Sequence, residues 1–215
     1  MAALRTIGGL GPLLFAVAWL WAQAGPPRPP KPPGPGPGGA HRIEDVRRKL
    51  ASAKPVDVTA ERALAYSRVF LADAEKALRS GQSFRADRMA DAADALFHVA
   101  EHEQHRRTGG GPAGPPPAAA IGDHLQRVYF RTQQADYFLS QAHDVRARSF
   151  PKWARDFYQV AVRAYERKDL VAADENAKSA EEIVKALEDL AQAATPAAIP
   201  APAPPPPPPQ RTRLP

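Results

Sequence analysis

The run His98-Val99-Ala100-Glu101-His102 carries the clearest chemical potential in this chain. On a helix, His98 and His102 fall one turn apart. Two imidazoles so placed could share a metal ion while Glu101 took a proton from bound water. His105 extends the same face by a further turn, and Glu175 lies downstream at a separation suited to a third ligand. Imidazole donors suit zinc or copper. The setting argues against hydrolysis, because the motif stands beside Gln104 and Arg106, just ahead of a segment of glycine and proline that starts at Gly109. A dry pocket is not expected there. A metal-binding bundle using a His98, His102 and His105 face is therefore the alternative reading of this chain, with none of the three cast as catalytic.

A second group consists of two adjacent aromatic pairs, Tyr129 with Phe130 and Tyr137 with Phe138. Neighbours on a helix point about 100° apart, so one member of each pair turns away from any packed seam and is a candidate anchor for a protein partner or a second copy. Other chemistries lack their residues. There is no cysteine, which removes thiol catalysis and thiolate metal sites. There is no Gly-rich phosphate loop and no G-x-S-x-G, and Met89 is the only internal methionine, with no spacing for a His/Met haem. The H-x-x-E-H order is similar to that of the inverted zinc metalloproteases. Its setting still points away from an enzyme, and no cofactor is required.

The elements that position these groups read as helices throughout. Ile43, Val46 and Leu50 share one side of a short helix that ends before Pro55. Leu64, Phe70, Leu71, Ala74, Ala77 and Leu78 line a longer one from about Val58 to Ser80, closed by Gly81, a favoured left-handed C-terminal residue. The next opens with Ser83 as N-cap and carries Ala86, Ala90, Ala93, Phe97 and Ala100, so a hairpin is predicted over 57–106 with a loop at 107–120. Ile121, Leu125, Val128, Thr132, Ala135, Leu139 and Ala142 repeat in steps of four and three, which predicts a long helix over 121–149 with a coiled-coil-like seam. Ser149 and Pro151 mark a new helix or a kink, and a second hairpin follows over 150–194, turning at Arg167 to Asp169. Asp87 and Asp174 fall in first turns, where a carboxylate complements the helix dipole. The predicted fold is all-α, an antiparallel bundle of two related hairpins bridged by a long helix.

Proline sets the limits of that body. Of 25 prolines, most cluster in 26–37, 112–117 and 196–215, where packed helix is excluded. Residues 1–24 have the form of a secretory signal: Arg5, an apolar run from Ile7 to Trp21, and the small-x-small site Ala22-Gln23-Ala24. Export to the periplasm or cell envelope follows, with cleavage after Ala24 leaving no stable membrane span. Residues 25–40 read as a Pro/Gly-rich linker and 195–215 as a disordered tail, in which Pro204 to Pro209 form a stiff polyproline spacer. The net charge of +6 comes from 29 basic and 23 acidic residues. Five of the basic ones, Arg5, Arg28, Lys31, Arg211 and Arg213, lie in these flanks. The helical body is nearly neutral, which argues against nucleic acid as a partner.

The chain also matches itself at an offset of 87 residues. Arg68 pairs with Arg155, Phe70 with Phe157, Ala74 with Ala161, Ala77 with Ala164, Asp87 with Asp174, Ala90 with Ala177 and Glu101 with Glu188. Within each copy, small residues recur in steps of three, nine, four and three, as in Ala161, Ala164, Ala173, Ala177 and Ala180, with Phe157 ahead of them. This pattern resembles the helix-turn-helix of the tetratricopeptide repeat over about 70 residues, in a degenerate form. Alanines replace the usual glycine and tyrosine, the closing proline is missing, and the copies are not in tandem. The resemblance implies close-packed hairpins in a protein-interaction or scaffold module, without implying the family's peptide groove.

Overall fold

A computed structural model describes residues 38–111 and 116–195. The expected signal, most of the linker and the polyproline tail lie outside the described residues. The described chain is all-α: α1 Gly38–Ser52, α2 Val58–Arg79, α3 Ser83–Thr108, α4 Ala118–Ala142, α5 Phe150–Glu166 and α6 Leu170–Ala194, with one turn of 3-10 helix, Val145–Ser149, ahead of α5. Among the described residues no helix is long and apolar enough to cross a membrane.

Several boundaries depart from expectation; α3 runs on to Thr108 and α4 opens at Ala118, both inside the loop expected at 107–120. The first helix already includes Gly38 to Ala40. Gln82, not Ser83, occupies the cap of α3, and its side chain makes no capping bond. The helix expected over 121–149 stops at Ala142, because His143 turns left-handed at φ 53° and Asp144 then caps the 3-10 turn through the Arg146 backbone N–H at 2.9 Å. Pro151 consequently sits in the first turn of a new helix, where its missing N–H costs nothing.

The two hairpin turns are built alike. α2 ends at Arg79 and α5 at Glu166; α3 starts at Ser83 and α6 at Leu170. Each pair of positions is 87 residues apart. Gly81 at φ 73° and Lys168 at φ 63° are the matching left-handed residues. In both turns the helix closes as a Schellman motif. Gln82 N–H donates to Ala77 O at 2.9 Å and Gly81 N–H to Leu78 O at 3.0 Å; Asp169 N–H donates to Ala164 O at 3.0 Å and Lys168 N–H to Tyr165 O at 2.9 Å.

Packing extends the match beyond the hairpins. α1 lies on α2 and α3, and α4 lies on α5 and α6, so each hairpin is completed by a preceding helix. α3 and α6 then pack against each other at the centre. The small residues at matching positions, Ala86 and Ala173, Ala90 and Ala177, Ala93 and Ala180, are all buried. Their small side chains let backbones approach closely, and Ser67 Oγ, also buried, donates to Ala93 O at 2.6 Å between α2 and α3. Larger side chains join the halves at one side. Phe150 is fully buried, with its ring centroid 4.9 Å from Tyr66 and 6.3 Å from Phe70.

The halves are related by an approximate two-fold. Arg62 donates to its own counterpart, Ser149 Oγ, at 2.8 Å across a separation of 87, and Tyr66 meets its counterpart Trp153 at 6.5 Å. Along the antiparallel α3/α6 crossing, Arg88 reaches Asp189 at 3.1 Å and Gln192 at 3.4 Å. The counterparts of these three are Glu175, His102 and His105. They meet in the same way at the other end of the crossing, with the charges inverted.

Candidate functional site

The end of the crossing that carries the histidines is formed by the last two turns of α3 and the first two of α6. α3 closes in a third Schellman turn, with Gly109 left-handed at φ 87° and Gly110 N–H donating to His105 O at 2.8 Å. His102 Nδ1 lies 2.8 Å from Glu175 Oε2, and His105 Nδ1 lies 3.7 Å from the same oxygen. The Glu175 side chain is almost fully buried at 4% exposure, His102 is at 16% and His105 at 39%. Lys178 Nζ holds the other carboxylate oxygen, Oε1, at 3.1 Å. Burial pushes the Glu175 carboxyl up, but hydrogen bonds from His102 and Lys178 outweigh it and keep the group below its ordinary value.

The structure therefore brings together two of the three sequence-predicted histidines. His98 is elsewhere engaged, its Nδ1 2.6 Å from Glu101 and its Nε2 3.5 Å from Asp94, one turn before it. Asp94 and then Glu101 stabilise the imidazolium and raise its pKa to about 9. Glu101 is thereby occupied as an ion-pair partner. α6 covers His102, whereas His98 keeps to partners on its own helix. Helix periodicity alone does not show which neighbouring helix crosses a given turn.

Asp174 also has a fuller role than dipole complement. Its buried carboxylate is held by Lys178 at 2.6 Å and faces His124 of α4 at 3.9 Å, while His124 Nε2 lies 3.0 Å from Glu181. His124 was not singled out by any motif; its signal would have been its place flanking the seam, next to Leu125.

Only the second aromatic pair is split; in the first, both members face outward. Tyr129, Phe130 and Tyr137 are exposed at 44%, 60% and 64%, whereas Phe138 packs in part against the core. Tyr129 rests on Tyr158 of α5 at 5.8 Å and on Phe130 at 5.5 Å. Between Val128 and Ala142 only Arg131 and Asp136 are charged, and both are paired, with Glu188 at 2.9 Å and Arg155 at 2.7 Å. From Val128 to Ala142 the outer face of α4 is thus aromatic and amide-bearing, with the exposed charges Asp123 and Arg127 on the turns before it.

Fold and sites together define an all-helical bundle of two matched three-helix units, with a polar His/His/Glu cluster at one end of the central crossing and an aromatic outer face. No family model, curated protein or solved structure matches the chain.

Proposed function

We propose that this chain is an exported protein-interaction or scaffold module of the cell envelope, and that the outer face of α4 is its contact surface for a protein partner. The exposure of Tyr129, Phe130 and Tyr137 on one helix carries this reading. Aromatic side chains gain most when a partner removes them from water, and they have few rotatable bonds to freeze. The pairing of Arg131 and Asp136 within the bundle leaves no free charge on this stretch of α4 to attract phosphate, so a protein surface is the matching chemistry. Export rests on the amino-terminal Arg5, apolar run and Ala-Gln-Ala sequence.

A photoreactive phenylalanine analogue placed at exposed Gln133, within the aromatic face, tests the reading in the producing cell. The same probe at exposed Lys152 is the control. A discrete protein adduct is expected from position 133 and not from 152, whether the adduct is a second copy or another protein. It should vanish when Tyr129, Phe130 and Tyr137 are changed to serine. Adducts of equal yield from both positions, or adducts that survive the triple change, overturn the assignment.

A further inference from the structure

We infer that His102, His105 and Glu175 form a three-ligand site for a divalent cation of the zinc class. The set exchanges His98 for Glu175 relative to the histidine face expected from sequence. It is independent of the aromatic face.

The geometry carries the inference. One ligand atom from each residue lies within 4.8 Å of the others. In a tetrahedral zinc site with bonds near 2.0–2.1 Å, ligand atoms stand about 3.3 Å apart. The two spacings from Glu175 Oε2 to the imidazole Nδ1 atoms, 2.8 and 3.7 Å, bracket that value. Both imidazoles turn the same nitrogen toward the same oxygen, and each of these two spacings reaches the ligand value by a side-chain shift of about half an ångström.

The surroundings support the donor set. Lys178 fixes Oε1 of Glu175, which leaves Oε2 aimed at the imidazoles, the usual task of an outer partner at a metal centre. Access remains on the side of the glycine turn. Gly111 comes close to the site there: a Cβ at this residue would lie 3.8 Å from His105 Nδ1, in ordinary contact. Two imidazoles, one carboxylate and one open position make up a donor set that zinc commonly takes.

The other end of the crossing gives an internal contrast. There the matching positions hold Arg88, Asp189 and Gln192, whose guanidinium already occupies the place between the two acceptors. The approximate two-fold calls for a polar triad at each end, but only one end has been given metal ligands.

Titration calorimetry of the untagged full chain with Zn²⁺ tests the site. One Zn²⁺ per chain is expected, and Co²⁺ should give the intense visible bands of a four-coordinate N/O site. His105→Ala should weaken Zn²⁺ binding by more than about tenfold, since loss of even an outer partner costs 10–100-fold. His98→Ala should leave it unchanged. Because His105 is more than a third exposed, its alanine variant should keep the helical circular dichroism. Glu175→Gln, which keeps size and an acceptor oxygen, serves as a second variant with the same expected loss. No binding to the wild type, equal binding by His105→Ala and wild type, or loss of binding in His98→Ala each overturns the site.

Discussion

His124 ties α4 to α6, and its ionisation should be visible as a pH-dependent stability. From α6 it faces Asp174 and Glu181, with Lys178 paired to Asp174; on α4 itself, Arg127 and Arg131 also act on Glu181. The carboxylates of Asp174 and Glu181 stabilise the imidazolium against the cost of its burial and raise its pKa to about 9 from 6.5. A group that binds its proton more tightly when folded contributes stability that is complete below its unfolded pKa. That stability is lost as pH rises through the folded value. The rise from 6.5 to about 9, at about 1.36 kcal/mol per pH unit, corresponds to about 3 kcal/mol. The side chain is only 14% exposed, so solvent screening removes little of it. Urea denaturation of the wild type and His124→Gln at pH 6, 7.5 and 9.5 isolates the effect, since His98 contributes equally to both. The stability gap between the two should narrow by about 3 kcal/mol from pH 6 to 9.5. A gap that does not change with pH, or an imidazole signal for His124 that titrates near 6.5, refutes the reasoning.

Asp189 should act in the opposite sense. Burial raises its carboxyl to about 6, with Arg88 opposing, so the folded chain pays for its charge at neutral pH and gains stability as pH falls from about 6 toward 4. Asp189→Asn should abolish that gain in denaturant titrations. At the hairpin turns, Lys168→Gly should raise stability by about 0.5–1 kcal/mol, because a non-glycine residue held left-handed costs about 1–2 kcal/mol, part of which glycine returns through its unfolded entropy. Gly81→Ala should lower stability by about 1 kcal/mol, and chemical denaturation of the pair reads both signs. Phe150→Ala removes a fully buried ring between α2 and α5, with an expected loss of about 3–5 kcal/mol in the same assay.

The helical class was readable because the apolar spacing of three and four runs through every element, and the turn at Gly81 announced itself by residue type. Lys168 could be placed only through its position in the duplicated frame. The end of α4 at Ala142 was not readable: the seam residues Ala135, Leu139 and Ala142 continue the pattern into it, and the break comes from His143 adopting a conformation that no glycine or proline signals. At the site, the spacing of His102 and His105 fixed their common face, and the separation of Glu175 made it a plausible partner. The loss of His98 from the set was hidden because Asp94 and Glu101, four and three residues away, compete for it locally. The antiparallel crossing of α3 and α6 decides which turns meet, and that depends on contacts between residues 70 to 104 positions apart.

The approximate two-fold has a consequence for what this chain can evolve. A true homodimer with this crossing would show the same triad at both ends, and its assembly would depend on concentration. Within one chain, the short connection between α3 and α4 holds the halves at an effective concentration on the order of millimolar, whatever the abundance of the protein. Fusion also releases the two ends from having to be identical. One can remain a closed Arg–Asp lock while the other exchanges its charges for two imidazoles and a carboxylate, and the central packing need not change.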